Sequence, residues 1–347
     1  MTLPPLLDLL GRPLRNLRLS VTDRCNLRCQ YCMPHEAYRW LPRADLLHYG
    51  EMSALVDLFL DLGVTKIRLT GGEPLLRRDL PRLVEQLARR KRIQDLAMTT
   101  NGQILAEAAL DLKLAGLHRV TVSLDTLRPE RFERMSRSDS LGRTLAGIEQ
   151  LGRVGFQNTR IDTVVIRGTN DDEIPDLIEF GRQVGAEVRF IEYMDVGGAT
   201  GWSLDQVQTR DAILAEIETR FGKVQLLEPA SLEESAAPAN RYRLADGTVF
   251  GIVASTTAPF CGTCNRSRLT ADGTWYHCLY AAAGIDLKSP FREGLSNDDL
   301  KRRIVAGWTK RANRGAEERL ELKERSSPHN QDNLREDPRL EMHTRGG

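Results

Sequence analysis

The sequence predicts an α/β protein: a partial barrel of six strand–helix units, followed by a C-terminal extension of β-hairpins and helix. Three observations carry this. Short apolar runs rich in Val, Ile, Leu and Thr alternate with longer amphipathic stretches, the pattern of βαβ units and a parallel sheet. Only six such units occur, too few for a closed barrel of eight. Past Phe221 the alternation stops, and paired short runs flank Asp-Gly turns.

The strand candidates are 17–22, 66–70, 95–100, 119–123, 161–166 and 188–193. Between them lie amphipathic stretches at 52–62, 80–91, 104–115, 141–154 and 174–184, most of them ending near Gly. In the extension, 241–244 and 249–253 flank Asp246-Gly247, and 268–270 and 275–277 flank Asp272-Gly273. From Ser296 the pattern turns helical, and the chain closes in a highly charged tail, 317–345, which reads as solvated. The division falls near 225, giving a barrel region 1–225 and an extension 226–347.

With 347 residues, 41% hydrophobic and 28% charged, the composition is ordinary for a globular chain, and a net charge of +1 argues against nucleic acid as a partner. No apolar run approaches the roughly 18 residues of a membrane span. The apolar start lacks a basic front and is interrupted by Asp8, so it does not read as an export signal. The 6 cysteines fall into two tight groups, which suits metal ligation in a reducing, cytoplasmic setting better than disulfides.

Cys25, Cys29 and Cys32 place three thiols within one short loop directly after a strand. Soft thiolates select zinc or iron–sulfur clusters, and three of them leave one iron of a 4Fe–4S cube open to a small molecule. Zinc with His35 as a fourth ligand is the bland alternative. Thr70-Gly71-Gly72-Glu73-Pro74 follows at the end of the next strand; glycines there let a ligand approach the backbone, and Glu73 can accept from an ammonium group. The Cys-x-x-x-Cys-x-x-Cys spacing, with Tyr31 before the last cysteine, and this Gly-Gly-Glu-Pro stretch together resemble the radical S-adenosylmethionine (SAM) superfamily.

Cys261, Cys264 and Cys278 form a second triplet, again short of a fourth thiol, with a zinc knuckle completed by His277 as the alternative. Arg266 and Arg268 sit on alternate residues of the following strand and share a face, a pair suited to phosphate or a purine edge. This segment, with Leu17-Arg18-Leu-Ser-Val-Thr-Asp-Arg-Cys25, Ile67-Arg68-Leu-Thr-Gly-Gly-Glu-Pro, Ile191-Glu-Tyr-Met194 and a Gly346-Gly347 ending, resembles the GTP 3′,8-cyclase family of molybdenum cofactor biosynthesis.

The resemblance implies two 4Fe–4S clusters on the six cysteines, SAM on the first, and cyclisation of GTP to 3′,8-cyclo-7,8-dihydro-GTP. It assigns SAM to Tyr31, Gly72, Glu73, Ser123 and Met194, and GTP to Arg18, Arg68, Thr99, Arg160, Arg266, Ser267 and Arg268, with Arg266 and Arg268 also taken as catalytic. It further implies a reducing electron donor, hand-over of product to a downstream cyclic pyranopterin monophosphate synthase, a diglycine end reaching into the site, and compatibility with a homodimer. The family usually carries Lys-x-Asn where this chain has Arg160-Ile161-Asp162, so Asp162 is expected to pair with Arg160. Three rivals remain at this stage: a radical SAM enzyme acting on peptide or RNA, a zinc-binding structural protein, and a ferredoxin-like carrier. The last fits poorly, since carriers complete their clusters with four cysteines.

Overall fold

The structure, a computed structural model, describes residues 5–196 and 201–346. The alternating runs become strands β1 (Asn16–Ser20), β2 (Lys66–Thr70), β3 (Asp95–Thr100), β4 (Arg119–Ser123), β5 (Arg160–Val165) and β6 (Glu187–Glu192). Period-two burial explains them. Leu17 and Leu19, Ile67 and Leu69, Leu96 and Met98, Val120 and Val122, and Val188 and Phe190 all point outward into one apolar shell. The alternate residues, Arg18, Arg68, Thr99, Thr121, Arg160 and Arg189 among them, share the inner face.

The shell is closed from outside by helices α1 (Tyr49–Asp61), α2 (Leu80–Ala88), α3 (Leu105–Leu114), α4 (Pro129–Ser136), α5 (Leu141–Arg153), α6 (Ile174–Val184) and α7 (Arg210–Phe221). Helix α2 shows why they form: Leu80, Leu83, Val84 and Leu87 recur at helical spacing and are all buried. Proline opens α2, α4 and α6, and Gly185 at φ 68° closes α6. Helix α4, with a single turn of apolar residues (Phe132, Met135) among charges, is an element that the periodicity did not mark.

The extension does not fold apart from the barrel. Its strands are β7 (Gln225–Leu227), β8 (Asn240–Arg243), β9 (Val249–Val253), β10 (Arg266–Leu269), β11 (Thr274–Tyr276) and β12 (Ile285–Asp286). They continue one 12-stranded sheet in the order β12-β11-β10-β1-β2-β3-β4-β5-β6-β9-β8-β7. Strand β10 lies parallel to β1 and β9 parallel to β6, so the parallel run extends from six strands to eight, flanked by the two expected hairpins. The stretch 254–265 joins the two rims. The helical region after Ser296 is helix Asn297–Thr309, capped by the Ser296 side chain accepting from the Asp299 N–H.

Candidate active site

The inner face of the barrel is polar where an ordinary barrel core is apolar. Register places Arg268, Arg18 and Arg68 side by side across β10, β1 and β2, with Thr99, Thr121 and Arg160 across β3, β4 and β5. Arg68 donates through Nη1 to Thr99 Oγ1 at 2.9 Å and Thr121 Oγ1 at 3.1 Å. Burial strips these guanidinium groups of water and their neighbours are also cationic. Arg18, Arg68 and Arg160 are lowered to about 9 and Arg268 to about 10, burial being the first cause in each. A cluster of partly uncompensated cations in a lumen calls for a polyanion.

Two of the expected substrate residues depart from expectation. Ser267 stands opposite Leu17 and so faces away from the lumen, fully buried, its Oγ without a hydrogen-bond partner. The expected pairing of Arg160 with Asp162 is not made; the carboxylate that acts on Arg160 is Glu187, its register partner on β6. Arg160 Nε and Asp162 Oδ1 have no hydrogen-bond partner. Asp162 instead lies opposite Ser123 and acts electrostatically on Arg18 and Arg68.

The first cysteine triplet lies on the loop leaving the C-terminal end of β1. Its three thiols repel one another's ionisation. Burial, with Glu73 next, pushes Cys25 up to about 11, and burial lifts Cys29 and Cys32 well above the ordinary thiol range. Three thiolates here need a cationic centre, and among the described residues no three His, Cys, Asp or Glu are close enough to hold a single ion. Three soft sulfurs that leave one position open suit a multi-iron cube. Asn101 Nδ2 lies 3.8 Å from Cys25 Sγ.

Around this triplet the expected SAM residues gather at the same edge. Tyr31, Ser123 and Cys29 line one cavity with Asn101 and Asp125, and Met194 stands two residues beyond β6. Tyr31 Oη donates to Asp125 Oδ2 at 2.8 Å, and burial raises Asp125 to about 6. The glycine pair has a structural reason of its own. Gly72 N donates to Thr22 O and Glu73 N to Arg24 O, and a Cβ on Gly72 would meet Arg24 O at 2.2 Å. Glu73 is 1% exposed and spends its carboxylate on Thr100 Oγ1, Asn101 N and Leu75 N rather than on an open position; burial raises it to about 7 against those hydrogen bonds.

The second triplet sits at the opposite, N-terminal edge, where Cys264 precedes β10 and the Asn265 carbonyl accepts from Arg15 and Asn16 N–H. Burial resists ionisation of Cys264, yet Arg266 and Arg311 bring it down to about 6. Arg266 lies over the Phe260 ring at 4.8 Å. His277, the alternative zinc ligand, packs edge-on against Trp275 and Trp308, and burial lowers it to about 4. The inner face runs between the two triplets: the row Arg268–Arg18–Arg68 lies across it, with Cys278 and Cys264 acting on Arg268 and Asp162 acting on Arg18 and Arg68.

The tail is solvated only in part: Glu321, Lys323, Glu324, Arg335 and Glu336 are exposed, whereas other charges are docked. Arg319 and Arg325 converge with Tyr280 Oη on buried Asp195, Arg339 pairs with Asp272 at 2.7 Å, and Arg345 donates to the carbonyls of Arg339, Leu279 and Ala281. The docked charges find partners distant in sequence, which a one-dimensional reading of the run does not reveal. The chain end then enters the lumen: Gly346 O accepts from Arg18 at 2.9 Å and from Arg268 at 2.7 Å, and a Cβ on Gly346 would strike Thr70 Cγ2 at 2.3 Å. Gly347 lies outside the described residues. Asp125, Asn101 and Asp195 were not singled out in the sequence; their position one to two residues past the expected Thr99, Ser123 and Met194 was the available clue.

Comparison with known proteins follows this geometry. Residues 19–181 match the radical SAM superfamily, and residues 186–317 match Molybdenum Cofactor Synthesis C. The chain is 55% identical to GTP 3′,8-cyclase 1 of Mycobacterium tuberculosis (strain CDC 1551 / Oshkosh) over 98% of its length and 95% of the relative. It is 46% identical to GTP 3′,8-cyclase of Acidothermus cellulolyticus, over 90% and 88%. Among solved structures, Streptococcus suis SuiB bound to S-adenosylmethionine shares the fold, with a TM-score of 0.52 at 14% identity over 84% of this chain and 68% of that one. Near-complete coverage at this identity settles the assignment: the chain belongs to the GTP 3′,8-cyclase family of radical SAM enzymes.

Proposed function

We propose that the chain performs its family's reaction within this lumen, cyclising GTP to 3′,8-cyclo-7,8-dihydro-GTP in molybdenum cofactor biosynthesis, with SAM held at the C-terminal edge and GTP spanning the arginines toward the N-terminal edge. The observation that carries this is the row Arg268–Arg18–Arg68 lying between two thiol triplets. Cys25, Cys29 and Cys32 would hold one 4Fe–4S cluster and Cys261, Cys264 and Cys278 the other. With SAM, the first supplies the 5′-deoxyadenosyl radical that takes hydrogen from C3′ before that carbon joins C8 of guanine.

The protein's own part is binding, orientation and exclusion of water. Tyr31 and Ser123 border the cavity beside Cys29, where a nucleoside would be held, and Met194 stands at the same edge. Gly72 keeps the backbone of its turn pressed on the cysteine loop, and Glu73 fixes Asn101 next to Cys25. Arg18, Arg68 and Arg160 take the triphosphate, whose roughly four negative charges favour several forked donors. Thr99 and Thr121 hold the Arg68 guanidinium in place, so its direction is set before the nucleotide arrives. Arg266 and Arg268, nearest the second triplet, orient the base end of the nucleotide.

The division of labour follows the chain: residues 1–225 serve SAM and 226–347 serve the second cluster and the base. A one-electron reductant would dock to start each turnover, and the product would pass to a cyclic pyranopterin monophosphate synthase.

The test is anaerobic incubation of reduced enzyme with SAM and GTP, or with ATP, following deoxyadenosine and cyclised product. Cys25→Ser is expected to abolish SAM cleavage. Cys278→Ser should spare part of the cleavage and lose cyclised product. Substantial product from the Cys278 variant, or equal deoxyadenosine with ATP, would sink this assignment.

A further inference from the structure

We infer that a buried ion cage, Asp8–Arg12–Arg311, is a positioning unit for the second iron–sulfur cluster: it clamps the Cys261–Cys264 loop by its carbonyls and, by holding net positive charge behind that loop, raises the cluster's reduction potential. The inference rests on the reading that Cys261, Cys264 and Cys278 hold a cluster.

The cage is built from both ends of the chain. Asp8 Oδ2 accepts from Arg12 Nε at 2.6 Å and from Arg311 Nη1 at 3.0 Å, and Oδ1 accepts from the backbone N–H of Leu10 and Arg12, each at 2.9 Å. Side-chain exposures are 0% for Asp8, 2% for Arg12 and 1% for Arg311. Trp308 closes the cage: its Nε1 donates to Arg12 O at 3.1 Å, and its ring lies 4.5 Å from the Arg311 guanidinium carbon. Leu9 N–H donates to Arg311 O, tying the N-terminal turn to the end of the helix Asn297–Thr309.

Its outward donors go to the cysteine loop. Arg12 Nη1 donates to Cys261 O at 2.9 Å and to Asn313 O at 2.8 Å, and Arg311 Nη1 donates to Cys264 O at 2.8 Å. Two of the three cysteines are thus gripped from behind through their own carbonyls, which fixes where their sulfurs point. No residue of the cage ligates, so its influence is positional and electrostatic.

The charge count is unequal: two guanidinium groups share one carboxylate. Arg12 Nη2 and Arg311 Nε are buried without a hydrogen-bond partner. Excess buried positive charge of this kind is costly unless an anion stands close. A thiolate-ligated cluster on the loop they grip would be such an anion. A fixed cation behind such a cluster favours the reduced form, which carries one more negative charge, over the oxidised one. Arg266, on the lumen side of Cys264, adds to this field.

The test uses the full-length chain, reconstituted anaerobically. Iron is counted, and both clusters are titrated electrochemically by electron paramagnetic resonance, SAM addition marking the first cluster's signal. Wild type should hold about eight irons; about four would refute the underlying cluster reading rather than the cage. Arg311→Met should move the second potential to a more negative value, Arg311→Lys should leave it near wild type, and Asp8→Asn, which removes the negative member, should move it the opposite way from Arg311→Met. Shifts of the same sign in R311M and D8N, or no shift in either, overturn the inference. If R311M loses the second cluster outright, retention in R311K supports the charge role, and loss there too reduces the cage to bare scaffolding and overturns it.

Discussion

Arg68 reaches past its own strand to hold Thr99 and Thr121, and its neighbours Arg18 and Arg268 take the carbonyl of Gly346. Each guanidinium therefore already has a weak, neutral partner in place of the anion that its position calls for. Replacing such partners by phosphate oxygens turns neutral hydrogen bonds into charge-assisted ones. Arg68→Ala should weaken GTP binding by about 2 kcal/mol, roughly 30-fold in Kd, with Arg68→Lys recovering part of the loss. Calorimetry on reconstituted, anaerobic enzyme measures it, and unchanged affinity would remove Arg68 from the triphosphate site. At this scale the sequence was informative about placement: strand alternation puts Arg18, Arg68 and Ser123 on the inner face. The Ser267 side chain lies on the opposite face of β10 from Arg266 and Arg268, as their alternation implies, and what the sequence did not show is the pairing of β10 with β1, about 250 residues apart.

Among elements, the turn after β2 shows how packing and chemistry share one motif. Gly71, at φ 139°, and Gly72 press against Thr22 and Arg24 so closely that any side chain collides with backbone. Gly72→Ala should dislodge the cysteine loop and leave the chain with the second cluster alone, about half the wild-type iron, while circular dichroism stays native-like; full iron content would show that the turn tolerates the methyl group. Helix α7 carries a different kind of prediction. Burial, with Asp171 and Asp172 nearby, raises Glu216 to about 7 from its ordinary 4.5. Its carboxyl holds a proton more tightly folded than unfolded, so the stability it contributes is greatest below about 4.5 and is lost as pH rises to 7. Glu216→Gln should flatten that fall, raising the melting temperature at pH 8 and leaving it unchanged at pH 4; an equal effect at both would exclude titration of Glu216. The six strand–helix units were legible because each repeats its period over several residues. Helix α4, with two buried apolar side chains near its end, offered too little pattern to read.

For the whole molecule, the charged tail is the clearest gap between sequence and structure. Arg325, Arg339 and Arg345 look like solvent-facing charge until Asp195, Asp272 and the carbonyls of 279–281 are placed beside them. No local pattern could announce partners 66 residues away, as for Arg345 and Leu279. Arg345→Ala should free that end: hydrogen exchange at 279–281 is expected to rise, with the barrel strands unaffected. Protection unchanged at 279–281 would mean that the tail contributes nothing to holding that loop.

The order in which the sheet is completed bears on how the protein is made. Strand β1 emerges from the ribosome among the first, yet its outer neighbour β10 is translated some 250 residues later, and β6 likewise waits for β9. From the completion of β6 until β9 and β10 follow, a nascent chain displays two bare rims of unpaired backbone groups, the type of surface on which strands from other chains readily add. Synthesis halted near residue 225 should thus yield a product that associates with itself, and the cell's holdase chaperones gain a long window in which to guard it.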